Sequence, residues 1–163
     1  MVGPNRDVEV VGARGALLLD LSAASTDDKL AGFNVSNAKI SYLDRGDRYN
    51  IATHVFTPAP DKGPKLDAMR PVRRGPLFYA DVLGNSVVLD LMEKLIDGDQ
   101  RDALGIAFGN PAGETPDTGF EFKFSKTADS AGYASSVTDA YSVQNLRLDI
   151  RPIVLSQPLY QYR

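Results

Sequence analysis

The sequence predicts a mainly β fold, a β-sandwich or distorted barrel, with one amphipathic α-helix at about 86–97 packed on it. Three observations carry this expectation. Short runs of alternating apolar and polar residues recur along the chain, separated by glycine-, proline- and serine-rich breaks. One segment places apolar residues at helical spacing: Val87, Val88, Leu91, Met92, Leu95 and Ile96, with Asp90, Glu93 and Lys94 on the opposite side. A doubly wound fold would need several such helices as crossovers. The 163 residues suit one β-rich domain over 1–163, long enough to bury a core without staples. The 43% apolar content sets the chain apart from disordered sequences, which cannot offset chain entropy by burial.

Taken in order, Val8, Val10 and Val11 suggest a short first strand, ended by Gly12 and Gly15. The apolar run at 16–21 is too short and too closely bounded by glycine for a helix, so it reads as a strand. Between 33 and 43 the parity of the apolar positions changes. Phe33 and Val35 share one parity, and Ala38, Ile40 and Tyr42 the other. A regular strand cannot turn both sets inward, so a β-bulge is expected near Asn37. Gly46 supplies a turn, after which Tyr49, Ile51, Thr53 and Val55 alternate as the second arm of a hairpin. Residues 57–76 hold Pro58, Pro60, Pro64, Pro71 and Pro76 and are expected to form a long exposed connection. A strand follows at 77–82, then the helix, capped by Asn85 or Ser86 and stopped by Gly98. Leu104, Ile106 and Phe108 share one side of a strand at 103–108. Phe120, Phe122 and Phe124 form a one-sided stripe on the strand at 119–126, expected to be core. Residues 127–140, rich in small side chains, read as a long loop. The last strand, 142–154, turns Leu146, Leu148 and Ile150 inward, and Pro152 places its end at a sheet edge.

Composition excludes several function classes. The net charge of −3 offers no bulk basic surface for nucleic acid. The absence of cysteine removes disulfides, thiolate chemistry and cysteine-based zinc sites, and a single histidine, His54, removes two-histidine metal sites. No phosphate-binding glycine loop or Gly-x-Ser-x-Gly elbow is present, so no cofactor or catalytic residue is assigned. The polar 1–14 segment lacks the apolar stretch of a secretory signal, and no apolar run approaches the ~18 residues of a membrane span. A soluble protein made in the cytoplasm is expected. Asp97, Asp99 and Asp102 surround Gly98 in the manner of a calcium loop. The positions that should hold glycine and glutamate hold Asp102 and Phe108, so a solvated acidic helix exit is the simpler reading. Arg45-Gly46-Asp47 is an adhesion-type tripeptide, but also an ordinary charged turn.

Two extensions remain. Lys62, Lys65, Arg70, Arg73 and Arg74 stand in the proline-rich segment against Asp61 and Asp67, and Tyr160 and Tyr162 stand near the end of the chain. They read as contacts to a neighbouring subunit, because extended arms and terminal aromatics suit a chain that embraces copies of itself. The expected function is a non-enzymatic, self-assembling structural protein. By architectural analogy it is a phage virion component, tail-tube-like or capsid-associated, whose partners are copies of itself and other assembly proteins. Two other classes compete. One is a monomeric β-sandwich module binding a small ligand or carbohydrate through the loops at 109–118 and 127–140. The other is a hydrolase using carboxylates such as Asp97, Asp99 or Glu114.

Overall fold

A computed structural model describes residues 3–12, 14–69, 74–108 and 118–154. The elements are β1 (Asp7–Glu9), β2 (Ala16–Asp20), β3 (Val35–Leu43), β4 (Arg48–Asn50), β5 (Val55–Thr57), β6 (Leu66–Asp67), β7 (Leu77–Tyr79), α1 (Val87–Asp97), β8 (Asp102–Phe108), β9 (Thr118–Ser125), β10 (Ala131–Ala134) and β11 (Tyr141–Val154). The protein is mainly β, and the one helix among the described residues packs on the sheet. The larger sheet runs β2-β3-β11-β9-β8-β7, and the smaller runs β1-β4-β5. Pairing is antiparallel except between β7 and β8. Those two parallel strands are joined by α1, which makes the crossover such a pair requires.

The 14-residue β11 organises the large sheet. Its first residues pair with β10, and those from Arg147 onward pair with β9 on the same side. β3 runs along its other side. β10 in turn carries β6, so the sheet branches at β11. The bulge expected at Asn37 is present. Val35 faces Ile150 and Ala38 faces Leu148, so β3 uses three steps where β11 uses two, and Asn37 takes φ 61°. A second bulge lies on β11 between Val143 and Leu146, at Asn145 with φ 55°. Asparagine tolerates this left-handed geometry better than most residues. Pro152 lies beyond the last residue of β11 that pairs with β3, where among the described residues the strand has β9 as its one neighbour.

Two cores flank the large sheet. On its inner face Leu91, Met92, Leu95 and Ile96 of α1 cover Ile40, Phe124, Val143, Leu146 and Leu148. On its outer face Leu43 and Leu18 meet Val10, Tyr49 and Phe56 of the small sheet and its flanks. The helix has the bounds the spacing implied, but Ser86 is left-handed (φ 61°) and makes no side-chain cap bond.

Four local expectations are corrected. β4 stops at Asn50 and pairs with β1 and β5, while β3 pairs with β2 and β11; the expected 33–55 hairpin is two separate sheets joined at the Gly46 turn. In β8 Leu104, Ile106 and Phe108 do share one side, but the buried side is the other, Ala103, Gly105 and Ala107. Close packing explains the inversion: a Cβ on Gly105 would lie 2.5 Å from Val82. The 127–140 segment contains β10. Its buried residues Ala131 and Gly132 are small for the same reason, since a Cβ on Gly132 would meet Ile96 Cγ2 at 2.6 Å. The described part of 57–76 is folded against its own protein rather than exposed throughout: Ala59 and Ala68 are buried, Lys62 bridges to Ser135, and β6 pairs with β10.

Candidate assembly surface

The terminal strands of the main sheet path, β2 and β7, each have one strand neighbour among the described residues. An unpaired strand edge offers a row of backbone donors and acceptors to another chain. On β2 this edge is apolar as well. Leu17 pairs with Tyr42 and Leu19 with Ile40, so both leucines lie on the inner face of the sheet. The helix covers the centre of that face and leaves the β2 side bare. Leu17, Leu19, Leu21 and Phe33 are all more than half exposed. At the other edge Phe78 is 64% exposed, on the outer face beside Leu104. Single exposed apolar residues are ordinary, but a row of them along an open edge strand marks an interaction surface.

Two hollows flank the leucine row. A cleft of about 720 Å³ lies between Leu17, Tyr42 and Asp44 and the start of the helix at Ser86, Val88 and Leu89. A more apolar groove of about 500 Å³ is lined by Leu19, Leu21, Phe33, Val35, Leu148 and Ile150. Burial raises the Tyr42 hydroxyl pKa, and Asp44 and Glu93 raise it further. Glu93 is itself pushed above its ordinary value, first by burial and then by Asp90, Asp97 and Asp44. An acid whose pKa is raised by folding weakens the native state once it ionises, and that penalty fades as pH falls through the folded pKa. Glu93→Gln is therefore expected to be more stable than the parent at pH 7. Urea titrations at falling pH should show the gap closing toward pH ~4, near the ordinary glutamate range.

The residues singled out in the sequence are scattered. Lys62 is not a surface contact. Its Nζ lies 2.7 Å from Asp47 Oδ1, both side chains are fully buried, and Ser142 Oγ bonds to both. Asp47 also accepts the backbone N–H groups of Ala59 (2.9 Å) and Asp44 (2.8 Å). This cluster ties the Gly46 turn, the 57–62 segment and β11 together, and it leaves the carboxylate of Arg45-Gly46-Asp47 undisplayed. Lys65 and Arg74 are exposed, with Arg74 Nε 3.9 Å from Asp99. Arg70, Arg73, Glu114, Tyr160 and Tyr162, and the loop at 109–117, lie outside the described residues.

The aspartates around Gly98 engage separate partners. Tyr141 donates to Asp97 at 2.7 Å, and Ser125 donates to Asp102 at 2.6 Å. Among the described residues no group of three or more histidine, cysteine, aspartate or glutamate side chains is placed to hold a metal ion. His54 sits in a turn rather than on a strand, with Nδ1 3.2 Å from both Asp20 Oδ2 and Tyr49 Oη. Among the described residues no helix is long and apolar enough to cross a membrane.

The leucine row was missed in the sequence because an apolar strand is ordinarily core. Its signal was the continuous run Leu17-Leu18-Leu19, which supplies apolar side chains to both faces of one short strand. No protein-family model matches the chain, and neither a curated protein nor a solved structure matches it.

Proposed function

We propose that this protein is a non-enzymatic structural subunit that assembles with copies of itself. The observation that carries the reading is the β2 edge, open among the described residues, with Leu17, Leu19 and Leu21 exposed beside it. Natural proteins cover or charge such edges, and burying this one against another copy removes the liability. Contact of the β2 edge with the unlike β7 edge of a neighbour is head-to-tail and closes into a ring or continues as a filament, whereas β2 against β2 gives a closed twofold dimer. A head-to-tail contact would suit a phage virion component of the tail-tube or capsid-associated kind, with other assembly proteins as further partners. Exposed Lys65 and Arg74, together with Arg70, Arg73, Tyr160 and Tyr162, are proposed as additional subunit contacts.

The test is light scattering coupled to size exclusion over a wide concentration range. The parent chain is expected to form species larger than the monomer. Leu17→Lys/Leu19→Lys, which places charge on the edge, should raise the concentration needed for assembly at least tenfold while leaving the far-UV circular dichroism unchanged. A parent chain that stays monomeric at every concentration would overturn the reading.

A further inference from the structure

The two hollows beside β2 lie at opposite ends of the strand. The cleft adjoins Gly15 and Leu17, and the groove adjoins Leu19 and Leu21. Leu21 lines its groove yet stays 59% exposed, so it stands as an apolar knob at one end of the edge. At the other end Gly15 sends no side chain into the cleft, whose walls include Leu17, Val88 and Leu89. A knob and a hollow at opposite ends of one edge face each other when that edge meets an antiparallel copy of itself.

We propose that β2 pairs antiparallel with β2 of a second copy across a twofold axis perpendicular to the sheet, with Leu18 at the axis; this rests on the self-assembly proposed above and names the edge that carries it. Leu18 is the middle residue of β2, so this register uses all five of its residues. An axis normal to the sheet keeps the inner faces of both copies on one side, so Leu17 of each copy stands opposite Leu19 of the other in one apolar cluster. Leu21 falls opposite Gly15 and enters the cleft there. Arg14, exposed and without an ion-pair partner among the described residues, falls opposite Ser22 and diagonal to Asp20, a separation that a long side chain spans. The β7 edge fits β2 less well. Four antiparallel pairings lead from β2 to β8, and β7 is parallel to β8, so β2 and β7 run the same way. With inner faces on one side they would pair in parallel, which sets Arg14 before β2 beside the exposed Arg74 before β7. The exposed ring of β7, Phe78, lies on the outer face, away from both hollows. The twofold contact closes on two copies, so the pair is the unit that any larger assembly adds.

The chain has no cysteine, so engineered ones report without background. Leu17→Cys and Leu19→Cys each change an exposed side chain of the full-length protein. Opposed residues of an antiparallel pair have Cα atoms roughly 4.5–5.5 Å apart, within reach of a disulfide. Oxidised as a mixture, the two variants should give a mixed disulfide dimer roughly tenfold faster than either gives alone, because position 17 meets position 19 of the other copy and is offset by two residues from its own counterpart. By light scattering the smallest species the parent forms should have twice the chain mass, and Leu21→Asp, which carries a charge into the cleft, should weaken it at least tenfold. Leu17→Cys that crosslinks instead to Leu77→Cys on β7 would overturn the inference and leave the self-assembly reading standing. A parent that assembles while the mixed disulfide shows no preference would do the same. A parent monomeric at every concentration would overturn both.

Discussion

Lys62→Met is expected to destabilise the protein by about 3–5 kcal/mol, the usual consequence of removing one partner from a buried ion pair. Methionine keeps most of the side chain's volume, so the loss reports charge rather than a cavity. Asp47 would retain the N–H bonds from Ala59 and Asp44 and the Ser142 hydroxyl, but its charge would be buried with no cation beside it. Asp47→Asn/Lys62→Met removes both charges, but the Ala59 and Asp44 N–H groups bond different carboxylate oxygens and the amide oxygen can keep only one side, so it should recover part of the loss. Urea unfolding at pH 7 measures this as shifts in midpoint at constant slope. A Lys62→Met loss under about 1 kcal/mol, the value of an exposed pair, would show that water reaches the site.

Phe124→Ala is expected to cost about 3–5 kcal/mol, with little recovery by collapse around the site. Phe124 is 1% exposed. It stands in register with Leu148 on β11 and Ala103 on β8, in the core that α1 closes. The three phenylalanines of β9 should form a series. Phe122 is only partly buried against the same core, and Phe120 is a partly buried partner of the exposed Phe33. Alanine at 122 and then at 120 should therefore cost progressively less. Equal losses at all three positions would mean that the Phe33 end of β9 is covered as fully as the part under the helix.

The stripe on β9 was legible because its alternation is strict and its side chains are large. The helix was legible for the same reason at a different period, and Asn37 because the apolar parity changes across it. The change of parity from Val143 to Leu146 carried the same signal for Asn145. What stayed hidden has a common physical origin. Where backbones approach closely, at β8 and β10, the buried residues are alanine, glycine and serine, whose burial leaves no hydrophobic pattern. Lys62 was placed outside because charge ordinarily seeks water; its partners lie 15 and 80 residues away in the chain, and only the fold brings them together. The same distance hid the bare face of β2. The leucines of β2 were visible as apolar, but their exposure depends on how far a helix some seventy residues later extends across the sheet.

The two asparagine bulges have a consequence for inheritance. Each inserts one residue, one into β3 and the other into β11, and the second restores the alignment that the first displaces. The pairing at Val35–Ile150 and at Tyr42–Val143 is thus in step, while the stretch between them is offset by one. Loss of a single residue from either strand would leave one end of the pair facing the wrong side. Loss of one from each would leave a regular ladder with both ends still aligned. Descendants of this chain should therefore change the lengths of these strands together or not at all, a constraint visible as paired gaps at Asn37 and Asn145 when such sequences are aligned.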